Sequence, residues 1–289
     1  MKIVERFAPS PTGRLHLGHA FSALLAHDAA VAGEGQFLLR LEDLDRGRCR
    51  DGYVEGIFED LAWLGLDWER PVLRQSDRIA AYEAALGQLA AAGLVYPCAC
   101  SRRDIREAAS APQEGATMGP DGLVYPGTCR RRPPPAGAET ALRLDMGAAL
   151  RSLGARAEAL AFYETGAGPD GQTGVIALEP DRLVRETGDV VLRRRDGAVA
   201  YHLAVVVDDA HQGVSHVTRG EDLSSATPIH RLLQALLGLA TPLYRHHRLI
   251  RDETGRRLAK RDDARSLESL RAAGWRPADV RAAVGLAEA

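Results

Sequence analysis

K-I-V-E-R-F-A-P-S-P-T-G-R-L-H-L-G-H, residues 2–19, decides the fold. Residues 2–7 carry a strand pattern, and the alanine- and leucine-rich stretch from Ala20 to Val31 reads as a helix. Between them Pro9 and Pro11 stiffen the approach, and Gly13 lets the backbone turn. His16 and His19 are three residues apart, which at a helix start sets them on one side. Backbone N–H groups there lack helical partners and point at whatever binds. Gly18 lets a flat ring or a phosphate approach the backbone closely. Two histidines near a helix cap are common without a ligand, but the whole string after a strand suits a triphosphate. It is neither G-x-x-x-x-G-K-[ST] nor G-x-G-x-x-G.

Outward from this loop, Q-F-L-L-R-L-E-D at 36–43 reads as a second strand, with helices at about 52–64 and 76–92. That β-loop-α-β-α order predicts an α/β fold with a parallel sheet and helices on its faces. After Pro97 the periodicity weakens. Residues 98–138 hold C-A-C, a Gly/Pro/Ala-rich segment, Y-P-G-T-C-R-R-R and P-P-P, and are expected to form a small insertion with little regular structure. Strands are expected again at about 140–145, 190–195 and 198–208. A helix at about 226–238 and two short helices close the chain.

At 289 residues the chain fits two units or one domain with a large insertion. Apolar residues at 45% and charged residues at 26% are ordinary for a globular protein. No apolar run reaches eighteen residues, which excludes a membrane-spanning helix. The N-terminus carries charge where an export signal needs an apolar stretch, so a cytoplasmic protein is expected. A net charge of −2 excludes a general nucleic-acid coat and leaves room for a local basic face. Arginine clusters at 130–132, 193–195 and 245–261 offer one, although each alone also fits a solvated surface. Among 37 basic residues only Lys2 and Lys260 are lysine. Where arginine serves nearly every positive charge, Lys260 marks a place where a compact point charge is required.

The cysteines are Cys49, Cys98, Cys100 and Cys129. A cytosolic chain gives no reason to pair them as disulfides. Cys98-x-Cys100 followed by Tyr125-x-x-x-Cys129 offers three thiolates and a phenol, and zinc takes four tetrahedral ligands with a preference for thiolate. Spacing alone fits either a zinc site or three reduced thiols in a loop. The insertion is poor in large apolar residues, and a metal would staple it. Cys49 is expected to be a bystander.

Residues 9–19 resemble the HIGH motif of class I aminoacyl-tRNA synthetases, in the form found in the glutamyl and glutaminyl branch. The resemblance implies that His16 and His19 bind ATP and stabilise its α-phosphate while an adenylate forms. Donors aimed at developing phosphate charge are an effective device for that step. Arg256-Arg257-Leu258-Ala259-Lys260-Arg261-Asp262 by itself reads more readily as a solvated basic loop. It resembles the KMSKS loop of the same enzymes, which puts Lys260 on the leaving pyrophosphate. Arg257 and Ala259 depart from that pattern, keeping the charge and losing one hydroxyl. The implied ATP contacts are Pro9, Thr12, Gly13, His16, Gly18, His19 and Lys260, with Mg2+ accompanying the nucleotide.

Four further segments are similar to glutamyl-tRNA synthetases: R-F-A-P-S at 6–10, L-E-D at 41–43, A-Y-H-L-A-V-V-V-D-D at 200–209 and T-R-G-E-D-L at 218–223. They imply a glutamate pocket of Arg6, Ala8, Ser10, Glu42, Tyr201 and Arg219. The chemistry agrees. Arg6 and Arg219 can give forked donors to a carboxylate, and Glu42, at a strand end, can hold an ammonium. Asp208, Asp209, Glu221 and Asp222 are expected in structural or tRNA-loop roles. The fold implied is a Rossmann-like sheet of the class I synthetase type. Residues 1–97 and 190–240 form its halves, 98–138 an insertion within a connective stretch to about 190, and 241–289 the basic loop and C-terminal helices.

Short relatives of glutamyl-tRNA synthetases carry a C-x-C…Y-x3-C zinc site, which implies one structural Zn2+ on Cys98, Cys100, Tyr125 and Cys129. Beyond Lys260 the chain runs only to Ala289, so the helical domain that reads the anticodon is expected to be lacking. Truncation together with the zinc motif resembles the glutamyl-queuosine tRNA(Asp) synthetases. That family implies activation of L-glutamate with ATP and its transfer to the queuosine wobble base of tRNA(Asp); a monomer is expected. No motif spells out the modified base. Three readings stay open beside it: a synthetase fragment charging tRNA(Glu), an adenylate-forming enzyme with a small-molecule acceptor, and a tRNA-binding module without catalysis.

Overall fold

The computed structural model describes residues 2–109, 117–251 and 265–286. Strands β1 (Val4–Phe7), β2 (Gln36–Leu41) and β3 (Glu69–Arg74) form a parallel sheet in that order. The helices Leu17–Ala32 and Asp51–Trp63 make the crossovers. The first buries Ala20, Ala23, Ala26 and Ala30 beside Phe21, Leu24 and Leu25, and the small alanines let it lie close on β1 and β2. Its exit is tight. A Cβ at Gly35 would stand 2.3 Å from the Ile3 carbonyl oxygen, so the return into β2 needs glycine there.

Further along are β4 (Val95–Cys98), the hairpin of β5 (Met118–Gly119) and β6 (Gly122–Leu123), β7 (Ala141–Leu144), β8 (Ala161–Glu164), β9 (Gly174–Ala177) and β10 (Val191–Arg193). Strands β10, β7 and β4 make an antiparallel sheet in that order. With β11 (His216–Gly220) and β12 (Leu243–His247), β8 and β9 form a four-stranded sheet ordered β11-β12-β8-β9, in which only β9 is antiparallel.

The stretch 198–208, expected as a strand, is instead the helix Tyr201–His211. Its Val205-Val206-Val207 run favours a strand locally, but His202 through Val206 are all buried. The helix packs between the helices Ile79–Ala91 and Thr227–Leu237, and that packing outweighs β-propensity. The insertion is also more regular than expected, with helices Arg102–Ala109 and Thr128–Arg131 besides its hairpin. The C-terminal helices Leu267–Ala272 and Pro277–Ala283 bury Leu267, Leu270 and Val280 in the core that holds the first helix. No described helix is long and apolar enough to cross a membrane.

Strands β1 and β11 bring the three-stranded β1-β2-β3 sheet and the four-stranded sheet together. The Ser215 N–H donates to the Val4 carbonyl (3.0 Å), and Val4 N–H to Ser215 Oγ (2.8 Å). Deeper in, Thr218 Oγ1 donates to Glu5 Oε1 at 2.7 Å. Successive strands depart in opposite directions from this seam. The crevice beyond the carboxyl ends of β1 and β11 is therefore where an open α/β sheet binds its ligand.

Candidate functional site

A cleft of about 380 Å³ opens at that crevice. Arg6, Ala8, His16, Gly18, His19, Glu42, Tyr201 and Arg219 all line it, with Asp222 and His247 at its side. Ser10 lines a neighbouring cleft of about 920 Å³ that shares Glu42 and Tyr201 with the first. The fold thus gathers the pocket residues from β1, β2, β11 and the helix Tyr201–His211. Pro9, Thr12 and Gly13 belong to the same loop as Ser10, after β1. Lys260 lies outside the described residues. The described flanks of its loop both meet this region: Ile250 lines the cleft, and Leu267 N–H donates to the Leu15 carbonyl at 2.8 Å.

His16 is the N-cap of the first helix. Its Nδ1 accepts from Gly18 N–H at 3.1 Å, and its own N–H donates to His19 Nδ1 at 3.2 Å. Each ring therefore takes a backbone N–H at Nδ1, so in the neutral imidazole the proton sits on Nε2 as a donor. The ring centroids are 3.8 Å apart. A Cβ at Gly18 would come within 3.1 Å of His16 Cε1, so the glycine makes room for this pairing. Two imidazole donors at a helix N-terminus, where the dipole is positive, form an anion site.

The pocket charges are held in a buried chain. Asp209 Oδ1 accepts from Arg6 Nε (3.2 Å) and Arg40 Nη1 (2.7 Å), and Arg40 Nη2 donates to Glu42 Oε1 (3.2 Å). Burial would raise the Asp209 carboxyl, but Arg40 and then Arg6 hold it below its ordinary value. For Glu42 burial wins over the same two cations and pushes the carboxyl up. Asp208 accepts from Gln75, Arg78 and Tyr82, which ties three elements together. Of the structural or tRNA-loop roles expected for Asp208 and Asp209, these buried contacts fit the structural one.

Arg219 is fixed on three sides. Its Nε donates to His246 Nε2 (3.1 Å), Nη1 to His230 Nδ1 (3.2 Å), and Nη2 to Thr227 Oγ1 (2.6 Å). Behind it, His246 Nδ1 makes a short hydrogen bond to the buried Glu164 carboxylate. Burial and then Arg219 hold His230 well below its ordinary value, keeping that ring neutral. Sequence reading missed Arg40, His230, His246, Thr227 and Glu164. Arg40 had a signal, as a charge inside the apolar run F-L-L-R-L that has to find a buried partner. The histidines had none, because nothing local tells a packed ring from a supporting one.

Cys98, Cys100 and Cys129 come together with ligand atoms all within 4.8 Å of one another. Tyr125 OH is 3.3 Å from Cys100 Sγ and accepts from Cys129 N–H at 2.7 Å. Burial pushes the Cys100 thiol up to about 11. At Cys129 burial acts the same way, but hydrogen bonds led by Tyr125 bring its thiol down to about 7. A convergent, largely buried thiol set of this kind fits a soft, tetrahedral metal ion. Cys49 takes no part in the cluster. The 920 Å³ cleft reaches from Cys100 and Tyr125 to Glu42, and Arg48, Arg102, Arg143, Arg194 and Arg195 line it.

Residues 2–287 match the family described as tRNA synthetases class I (E and Q), catalytic domain. A protein of Rhodobacter capsulatus named glutamyl-Q tRNA(Asp) synthetase is 57% identical over 288 residues, 98% of this chain and 100% of that one. A Geobacter sulfurreducens protein of the same name is 42% identical, over 93% of this chain and 79% of its own. Among solved structures, the glutamate-tRNA synthetase of Elizabethkingia anophelis superposes with a TM-score of 0.70 at 25% identity. The match covers 91% of this chain and 53% of that enzyme, so this chain spans about half of it. Sheet topology, the histidine-bearing helix start and these likenesses agree: the chain belongs to the catalytic-domain family of class I (E and Q) tRNA synthetases, in the branch whose members are named glutamyl-Q tRNA(Asp) synthetase.

Proposed function

We propose that this protein activates L-glutamate with ATP and transfers the glutamyl group to the queuosine wobble base of tRNA(Asp). The observation that carries the reading is the shared cleft. A histidine pair at a helix N-terminus stands beside two fixed arginines and a half-buried glutamate, in a chain 57% identical to a glutamyl-Q tRNA(Asp) synthetase. Arg219, and Arg6 beside it, would receive the side-chain carboxylate of glutamate, and Glu42 with Tyr201 its ammonium end. Ala8 and Ser10 would close the floor.

The α-carboxylate then attacks the α-phosphorus of ATP, and pyrophosphate leaves. His16 and His19 donate from Nε2 to the phosphate oxygens, where negative charge develops. Lys260 neutralises the pyrophosphate, and Pro9, Thr12, Gly13 and Gly18 let the nucleotide lie on the backbone. Magnesium arrives with ATP. In the second step a hydroxyl of the queuosine ring attacks the adenylate carbonyl, forming an ester and releasing AMP. The arginine-lined cleft that adjoins Glu42 and Tyr201 supports an RNA acceptor, since guanidinium groups bind phosphate by paired donors.

Cys98, Cys100, Tyr125 and Cys129 would hold one Zn2+, which when bound ties the insertion together. In this reading 1–97 and 190–240 are the catalytic halves, 98–138 is the zinc-bearing insertion, and 241–289 carries the Lys260 loop. The protein would work as a cytoplasmic monomer.

The test supplies labelled glutamate and ATP with three RNAs: tRNA(Asp) carrying queuosine, the same tRNA with guanine at the wobble position, and tRNA(Glu). Label on the queuosine-bearing RNA alone is expected. Label on tRNA(Glu) would replace the reading with that of an ordinary charging enzyme. Pyrophosphate exchange without any labelled RNA would leave the adenylate chemistry and remove the acceptor.

A further inference from the structure

We propose that Asp121, His202 and His230 are positioning residues for Arg219, through which the β5–β6 hairpin of the insertion sets the preference for an acidic amino acid. The inference rests on the reading of Arg219 as the ligand of the substrate side chain.

The three residues form one continuous path. Asp121 Oδ1 lies 3.0 Å from His202 Nε2, His202 Nδ1 lies 3.1 Å from His230 Nε2, and His230 Nδ1 lies 3.2 Å from Arg219 Nη1. Asp121 is the turn residue between β5 and β6 and is half-exposed, whereas both histidines and Arg219 are buried. The path therefore runs from the surface of the insertion to the floor of the amino-acid pocket.

Donor and acceptor roles fix its direction. A guanidinium only donates, so His230 must offer a lone pair at Nδ1 and carry its proton on Nε2. That proton is donated to His202 Nδ1, and His202 Nε2–H donates in turn to the Asp121 carboxylate. Every link is satisfied in one polarity only. The second support of Arg219 has the same logic: Arg219 Nε–H to His246 Nε2, and His246 Nδ1–H to Glu164. Two neutral imidazoles thus hold the guanidinium by its edges, His246 anchored directly on the Glu164 carboxylate and His230 through His202 on that of Asp121.

The consequence is selectivity. If the path lost its terminal carboxylate, His202 could take the other tautomer. His230 could then turn an N–H toward Arg219, donor against donor, and the guanidinium would lose its fixed plane. A carboxylate ligand needs that plane for two parallel donors. The amide of glutamine also brings its own N–H groups, which meet only donors at a fixed guanidinium. Loosening Arg219 therefore weakens glutamate more than glutamine.

The experiment is glutamate-dependent ATP–pyrophosphate exchange without RNA, on the full chain, with Asp121→Ala, Asp121→Asn, His202→Phe and Arg219→Ala. Asp121→Ala is expected to raise KM for glutamate about tenfold, the size of one lost charge-assisted hydrogen bond. It should also narrow the preference for glutamate over glutamine, with KM for ATP, kcat and Tm unchanged. Asp121→Asn keeps an oxygen acceptor for His202 and should fall between parent and Asp121→Ala. His202→Phe should shift the same two quantities without contact to the ligand. An unchanged glutamate KM in Asp121→Ala, with Arg219→Ala impaired, would overturn the path alone. A change in which ATP KM and Tm move together with glutamate KM would also overturn it, as a general loss of structure. An Arg219→Ala variant with ordinary glutamate KM would remove the pocket reading and this inference with it.

Discussion

Arg40 Nη1 lies 2.7 Å from Asp209 Oδ1 beside the cleft that Arg6 and Glu42 line, and the same oxygen accepts from Arg6 Nε at 3.2 Å. One carboxylate therefore aligns a pocket cation and, through Arg40, the pocket anion Glu42.

Removing one member of this buried group leaves an uncompensated charge, which costs about 3–5 kcal/mol. Asp209→Asn is expected to lower the thermal midpoint by roughly 10 °C and to raise KM for glutamate. The folded Asp209 carboxyl lies below its unfolded value. Its contribution is thus complete above about pH 4 and fades as pH falls through the folded value. Thermal unfolding at a series of pH values downward from 7 checks both points: parent and Asp209→Asn should differ at pH 7, and the difference should shrink as pH falls below about 4.

His16→Ala and His19→Ala should each slow glutamate-dependent ATP–pyrophosphate exchange by roughly 10²–10³, the loss seen when one transition-state donor is removed. KM for glutamate should hold. Gly18→Ala should slow exchange as well, by forcing His16 aside. Lys260→Ala belongs to the same assay with the same expected loss, and an unchanged rate in that variant would sink the assignment of the basic loop.

The thiol cluster predicts about one zinc per purified chain, measured by elemental analysis. Cys129→Ala should lose the metal and Cys49→Ala should keep it. A chelator should make residues 98–138 more sensitive to protease. Protein with well under one zinc per chain would count against the site.

Asp60 is buried, and neither carboxylate oxygen accepts a hydrogen bond; Arg271 Nη2 comes only to 3.8 Å. Burial raises its carboxyl to about 6. The folded value is above the unfolded one, so the contribution of Asp60 to stability is greatest at low pH and is lost as pH rises from about 4 to 6. Asp60→Asn should stabilise the protein by about 1–2 kcal/mol at pH 7.5, with the advantage gone by pH 4. Denaturant midpoints at the two pH values decide it.

The local chemistry was legible in the chain. The strand, the proline-stiffened loop and the helix start with His16 and His19 are contiguous, so eighteen residues announce both the parallel sheet and an anion site. The cysteine cluster was legible for the same reason: Cys98, Cys100, Tyr125 and Cys129 fall within one short insertion. Arg6, Glu42 and Arg219 could be named from the segments that hold them. Their supports could not, because Arg6 on β1 and Asp209 on the helix Tyr201–His211, or Glu164 on β8 and His246 on β12, are far apart in the chain and meet only when those elements pack together. The run 201–211 shows the limit most plainly. Its valines suit a strand, and only the two helices that enclose it make a helix the lower-energy choice. Sequence alone thus determined which groups are candidates for the chemistry, since they stand in short contiguous motifs. Tertiary structure alone decided what holds those groups, since burying a charge requires a partner and that partner comes from a distant element.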